Sequence, residues 1–220
     1  MLLAVSVNLG QCRHQPSGDP EAEALLTELT TAALADATGA CTAGSSGGVA
    51  TLVVRATSQT NYTHCDLATG ARVEAGAGSG AIWDIRFQRF KAGTNSGTSA
   101  SGSGGAAAGG ACRTGVSDFA AVTSVSAFPG VASPDCPVFA VDTELVGAGA
   151  GGGSVAFSGS TVLKDWYTYN IFTHALTARA DVYIIRSSDG AEYYKLQMFD
   201  YYDAAGSAGY PAFRYARIPL

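Results

Sequence analysis

Residues 182–202 read VYIIRSSDGAEYYKLQMFDYY. Two runs rich in aromatic and β-branched residues, 182–186 and 193–202, flank the short segment SSDG at 187–190. An Asp-Gly pair between two such runs is typical of a hairpin turn. The stretch therefore predicts two antiparallel strands joined by a tight turn.

Strand patterns continue on both sides of this hairpin. The clearest is WDIRFQ at 83–88, where Trp83, Ile85 and Phe87 alternate with polar residues, which indicates a half-buried strand. Because sequential hairpins favour antiparallel pairing, an all-β, antiparallel fold is predicted. Further strands are predicted at 51–55, 62–67, 138–146, 166–169 and 212–218, with a turn at 206–211.

Two stretches consist almost entirely of small residues, 93–111 and 147–154. They offer little apolar area to offset the entropy of ordering, so both are predicted to be Gly-rich loops, the first of them flexible. The second matches the letters G-x-G-x-x-G of a dinucleotide site at 147–152. That site needs a helix directly after the motif, whereas VAFSG at 155–159 has no helical pattern, which favours a loop.

The first 47 residues differ from the rest of the chain. Residues 1–18 are interpreted as a signal-peptide remnant and linker, and 19–47 as a short N-terminal helix and connector that precede a β domain at 48–220. Asp19 suits the helix N-cap and Gly39 its end. Leu9-Gly10-Gln11-Cys12 resembles a bacterial lipobox, which predicts lipidation of Cys12; the alternative is an ordinary apolar N-terminus.

The chain has five cysteines and no C-x-x-C pair, so a structural zinc site is not expected. An odd count fits one lipidated cysteine and two disulfides in an exported protein. Five reduced thiols in a cytosolic protein are the alternative, and the sequence leaves the connectivity open. The simplest pairings are Cys41 with Cys65 and Cys112 with Cys136.

Charge and motif content exclude several classes of function. The net charge is −5 and the 13 Lys and Arg residues are scattered, so no nucleic-acid partner is expected. No apolar stretch is long enough for a membrane helix, so membrane contact is expected only through a lipid anchor. Neither G-x-S-x-G nor H-E-x-x-H occurs, and the spacing of the aspartates suggests no catalytic pair, so the chain is not expected to be an enzyme.

Three groups of motifs occur in a fixed order. WDIRFQRF at 83–90 is followed by TNSG at 94–97, and WYTY at 166–169 by THAL at 173–176. The longest group is VYIIRSSDG at 182–190, YYKLQ at 193–197, DYY at 200–202 and GYPAFRY at 209–215. In this order and spacing the segments resemble the HmuY family of secreted, all-β haem-binding proteins, over about residues 50–218.

The resemblance implies export to the outer surface of a bacterium, a lipid anchor, non-covalent binding of b-type haem and delivery to an outer-membrane receptor. Members of the family hold the iron with two axial side chains, His in some and Met in others. His174 is the first candidate ligand, and Met198 or His64 the second. The alternatives are a polar turn residue for His174, core packing for Met198 and a strand position for His64.

Several outcomes stay open for the bound state. The haem could be five-coordinate or held without iron ligation. A surface structural or adhesive module that has kept the fold and lost the ligand is the alternative function.

Overall fold

The computed structural model describes residues 39–74, 82–100, 107–127, 136, 138–148 and 153–220. All of these fall in one compact unit, Ala35–Leu220. The described residues form fourteen strands and two short 3-10 turns, and contain no α-helix. The helix predicted within 19–47 falls mostly on residues 1–38, which lie outside the described part of the chain, as does Cys12, and both stay predictions.

The strands account for most of the described chain. In chain order they are β1 (Ala40–Ser46), β2 (Val49–Arg55), β3 (Thr63–Cys65), β4 (Arg72–Val73), β5 (Ile85–Gln88), β6 (Lys91–Thr94), β7 (Gly110–Arg113), β8 (Thr143–Ala148), β9 (Ser154–Gly159), β10 (Tyr167–Tyr169), β11 (Leu176–Ala178), β12 (Val182–Arg186), β13 (Tyr193–Tyr202) and β14 (Ala208–Ile218). The 3-10 turns are Gly97–Ser99 and Leu163–Asp165.

Two sheets and two separate hairpins organise these strands. The larger sheet has six strands in the order β1-β2-β14-β13-β12-β7, and the smaller has four in the order β4-β3-β5-β6. The hairpins are β8–β9 and β10–β11. All strand pairings are antiparallel, which confirms the predicted fold class, and the β12–β13 hairpin predicted from 182–202 is present with Arg186 opposite Tyr193.

The six-stranded sheet is covered on both faces. Along β12, Tyr183 and Ile185 belong to the main core, whereas Val182 and Ile184 belong to a second apolar cluster on the opposite face. This explains why the strand is a continuous apolar run instead of an alternating one. The second cluster is completed by the segment after β7 and comprises Cys112, Phe119, Val122, Val125, Cys136, Val182, Ile184 and Ile218.

Both predicted disulfide pairings are confirmed. Cys41–Cys65 links β1 of the large sheet to β3 of the small one, and Cys112–Cys136 links β7 to the second apolar cluster. Each closes a sequence separation of 24 residues. In the chain-entropy model, a loop of that length contributes about 3 kcal/mol to stability by restricting the unfolded chain.

The prediction of a flexible loop over 93–111 is wrong for the part that the structure describes. Gly93 and Thr94 belong to β6, residues 94–96 are buried, and Gly110 and Ala111 belong to β7. Small polar residues are ordered here by hydrogen bonds to a distant carboxylate, not by apolar burial. The second Gly-rich stretch lies at the end of the β8–β9 hairpin, where Gly147 is still paired with Val155.

Several element boundaries also differ from the prediction. Residues 40–46 were expected in the connector and instead form β1, an edge strand of small residues whose composition carries no strand signal. The turn expected at 206–211 lies earlier, because Asp203 Oδ1 accepts hydrogen bonds from the backbone N–H groups of Ala205 and Ser207. The strand expected at 138–146 begins only at Thr143.

Candidate functional site

The β10–β11 hairpin is anchored by buried groups at both of its ends. Trp166, directly before β10, is fully buried, and its indole N–H donates to the Phe90 carbonyl at 2.9 Å. Leu176, the first residue of β11, is also buried, and its backbone N–H donates to the Tyr202 hydroxyl at 2.8 Å. These contacts tie the open end of the hairpin to the core and its turn end to β13.

The tip of the hairpin, residues 170–175, is ordered by Asn170. Its side-chain Oδ1 accepts the backbone N–H groups of Phe172 at 2.9 Å and Thr173 at 3.2 Å, and its own N–H donates to the Ala175 carbonyl at 2.8 Å. An Asn side chain that caps its own turn is a common device for fixing a tight loop. His174 has a φ of 56°, a left-handed conformation that costs energy in a residue other than Gly.

Large apolar side chains at this tip face the solvent. Phe172 is 92% exposed, Ile171 70% and Tyr169 54%. Isolated exposed apolar residues are common, but three within four positions on one turn form a patch of the kind that marks a binding surface.

His174 lies within this patch and is paired with Tyr169. The Tyr169 hydroxyl and His174 Nδ1 are 2.6 Å apart. The pair links the end of β10 to the turn, and it occupies one of the two ring nitrogens of His174. A neutral imidazole has one donor and one acceptor nitrogen, so the direction of this hydrogen bond determines which group is free to bind a metal.

The other two predicted ligands lie elsewhere. Met198 is in β13, 3% exposed, and packs in the main core, as its alternative interpretation held. His64 is a half-buried residue of β3, and its ring lies edge-on to the Trp83 ring with 4.6 Å between the ring centroids. Burial, and then the charges of Arg86 and Arg72, lower the pKa of His64 to about 4, so its ring is neutral near pH 7.

The three candidate ligands therefore lie on different elements: Met198 in the six-stranded sheet, His64 in the four-stranded sheet and His174 in the turn between β10 and β11. Met198 would have to leave the core to reach an iron atom. Among the described residues, His174 is the one exposed His or Met side chain.

The hairpin tip carries side-chain types that a haem-binding surface uses. A haem needs apolar contacts for its plane and an axial N, O or S ligand for its iron. Phe172 and Ile171 are exposed apolar side chains, and the Tyr169–His174 pair offers an oxygen and a nitrogen. A polydentate protein site for a bare metal ion is a different arrangement, and the described residues contain no group of three or more His, Cys, Asp or Glu side chains that could form one.

Two buried carboxylates have structural roles that the sequence did not reveal. Asp84 accepts the backbone N–H groups of Leu67 and Ser188, both at 2.9 Å, and so joins the two sheets. Burial raises its pKa to about 6. Asp142, 1% exposed, accepts hydrogen bonds from Thr94, which is the last residue of β6 and the first of the TNSG segment.

Sequence reasoning also missed Tyr169 and the exposed apolar residues of the tip. Asn170 was the available signal, because an Asn at the start of a short loop between two aromatic runs is a typical turn former. The sequence predicts a strand that begins at 166–169, and nothing in its pattern shows that Tyr169 is the last residue before a turn.

The sequence matches a known family over the strands that build this scaffold. The model described as HmuY protein matches residues 58–215, which covers β3 to β14 almost entirely. The chain belongs to the HmuY family. No curated protein matches the sequence.

Solved structures share the HmuY fold. A Bacteroides vulgatus protein named as a candidate HmuY-like heme binding protein is 19% identical with a TM-score of 0.54, and the match covers 75% of this chain and 89% of that one. The apo HmuY analog of Tannerella forsythia is also 19% identical, with a TM-score of 0.52 and coverage of 82% and 97%.

A third HmuY-like fold is a Bacteroides fragilis protein named as a candidate lipoprotein. It is 20% identical with a TM-score of 0.54, and the match covers 82% of this chain and 96% of that one. At these identities the likeness establishes the shared HmuY fold.

Proposed function

We propose that this HmuY-family chain binds b-type haem non-covalently at the tip of the β10–β11 hairpin, and that it carries the haem without transforming it. The observation that carries the proposal is the exposed patch formed by Ile171 and Phe172 beside the Tyr169–His174 pair. Family membership supports the choice of haem as ligand.

The patch is costly unless something covers it. Fully burying an aromatic or branched aliphatic side chain gains about 1.5–3 kcal/mol, so the exposure of Phe172 and Ile171 forgoes several kcal/mol in the free protein. A porphyrin plane laid on these side chains would recover part of that energy. The strands of the hairpin do not need to move for this, since Trp166 holds the open end and Leu176 the turn end.

The cellular setting follows from the cysteines and the family. We propose export to the surface of a bacterium, with Cys12 lipidated and the captured haem passed to an outer-membrane receptor for uptake. The two disulfides support an oxidising compartment, and one solved structure with this fold is named as a candidate lipoprotein. Within the described ranges, no helix is long and apolar enough to cross a membrane.

Titration of the full chain with hemin, followed by the Soret band, tests haem binding. We expect a saturable shift of the band, with affinity lowered in Phe172→Ala because the porphyrin loses its contact surface. Val146→Ala is the matched control, since Val146 is 77% exposed at the other hairpin, β8–β9.

Two outcomes would contradict the proposal. One is the absence of a Soret shift at hemin concentrations on the order of tens of micromolar, too weak a binding for capture. That result would favour a structural or adhesive surface module. The other is equal loss of affinity in the Phe172 and Val146 variants, which would place the ligand away from the β10–β11 tip.

A further inference from the structure

The hydrogen bond between Tyr169 and His174 has two possible directions, with different consequences for iron. If His174 Nδ1 donates, Nε2 keeps its lone pair and the imidazole is the ligand. If Nδ1 accepts the phenol hydrogen, Nε2 carries the ring's proton and has no lone pair for a metal. In the second case the Tyr169 oxygen is the group prepared for coordination.

The backbone positions of the two residues favour Tyr169. It ends β10 in register with Leu176, which is buried and hydrogen-bonded to Tyr202. His174 instead lies in the turn with left-handed backbone geometry. A ligand that must meet an iron atom at a set distance is held more accurately by a strand than by a turn.

The lack of a second ligand also favours an anionic oxygen. The described residues offer no other exposed His or Met to complete a six-coordinate iron, because Met198 is in the core and His64 is half-buried in the small sheet. A phenolate can hold ferric haem iron as the protein's one axial ligand, as a Tyr does in catalase. Its negative charge also offsets the net positive charge of a ferric porphyrin core, which a neutral imidazole does not.

We propose that Tyr169 coordinates the ferric iron through its phenolate oxygen, and that His174 is the positioning residue that accepts the phenol proton. This inference rests on the proposed haem site and specifies its ligand. If haem binds here, the Tyr169 O–H bond would break and its proton would pass to His174 Nδ1. The phenolate oxygen would replace a water on the hemin iron, which would stay ferric.

Spectra of hemin complexes of the full chain separate the two ligands. The variants are Tyr169→Phe, His174→Ala and His174→Gln, with Tyr210→Phe as the matched control because Tyr210 lies on β14, outside the hairpin. The readouts are the ferric-phenolate charge-transfer band, the iron–phenolate vibration in resonance Raman spectra, and the affinity for hemin. Circular dichroism checks that each variant is folded.

We expect the phenolate signals in the natural chain and in Tyr210→Phe. Tyr169→Phe should lose both signals and bind at least about tenfold more weakly, a change of about 1.4 kcal/mol. His174→Ala should keep the signals but bind several-fold more weakly, and His174→Gln should recover part of the affinity because it can again accept a hydrogen bond.

The contrary outcomes are distinguishable. A spectrum retained in Tyr169→Phe but lost in His174→Ala would make His174 the ligand, overturning this inference and leaving the proposed haem site intact. Hemin binding with no phenolate signal in any folded variant would also overturn it. Failure of the natural chain to bind hemin would remove the proposed function itself.

Discussion

Replacing Asp142 by Ala is expected to destabilise the protein more than any surface substitution. The Asp142 carboxylate accepts hydrogen bonds from the Thr94 backbone N–H at 2.9 Å, the Thr94 hydroxyl at 2.8 Å and the Ser99 hydroxyl at 2.6 Å. The Asp142 backbone N–H in turn donates to Ser96 Oγ at 3.0 Å. A single side chain therefore holds the end of β6 and the 3-10 turn that follows it.

The magnitude follows from these contacts. Hydrogen bonds to a charged group contribute about 1.5–3 kcal/mol each, so three of them contribute roughly 5–9 kcal/mol before the cost of burial. Asp142 is 1% exposed, and burial raises its pKa in spite of these hydrogen bonds, so desolvation of the charged carboxylate outweighs them. Removing the carboxylate leaves the buried donors of Thr94 and Ser99 unpaired. A net loss of about 3–5 kcal/mol is expected.

Urea unfolding followed by tryptophan fluorescence measures this loss, with both Trp83 and Trp166 buried in the native state. Glu144→Ala is the matched control, because Glu144 is an exposed acidic residue two positions along the chain and should change stability by less than about 0.5 kcal/mol. Asp142→Asn should fall between the two, since it keeps an acceptor oxygen. A loss below about 1 kcal/mol in Asp142→Ala would refute the view that this carboxylate orders the small-residue segment.

Three further changes test other parts of the structure. Burial raises the pKa of Asp84 from 3.8 to about 6, so the native state takes up a proton before the unfolded state does. The charged Asp84 therefore destabilises the native state less as pH falls from 6 to 4, and the free energy of unfolding should rise by about 1–2 kcal/mol. Asp84→Asn should abolish this rise, as measured by urea unfolding at several pH values. His64 acts in the opposite sense, because its pKa is lowered from 6.5 to about 4 and the unfolded state therefore binds the proton first. Stability is lost as pH falls from 6.5 to 4, and His64→Gln should reduce this loss. A pH profile of stability unchanged in His64→Gln would contradict this. Replacing both Cys112 and Cys136 by Ser should lower the free energy of unfolding by about 3 kcal/mol, and a thermal midpoint equal to that of the natural chain would show that the disulfide constrains little.

The site was partly predictable. His174 was the first candidate ligand and lies in the exposed patch, but its partner Tyr169 was not identified, because a contact between a strand end and a turn depends on the shape of the hairpin. Met198 alternates with Tyr194 and Leu196 along β13, and this core pattern is what the structure shows. His64 and Met198 were grouped with His174 by chemistry alone, and chemistry does not place residues in the same sheet.

The small-residue segment 93–111 shows why composition misleads. Its residues bury little apolar area, and by that measure the segment should be disordered. Its ordered part is stabilised by hydrogen bonds to Asp142, which lies 48 residues after Thr94 and 43 residues after Ser99 in the sequence. No local pattern in the Gly, Ser and Thr residues reports an acceptor so far along the chain.

Local pattern alone determined much of this protein: the antiparallel class, the β12–β13 hairpin and the strand at 85–88. These follow from alternation and turn chemistry, which act between residues close in the chain. Tertiary structure alone decided which cysteines pair, that β12 is buried on both faces, that Asp84 and Asp142 join distant segments, and that Tyr169 meets His174 at the hairpin turn. The physical reason is that burial and hydrogen-bond partners depend on which sheets pack together, and packing brings together residues that no sequence period relates.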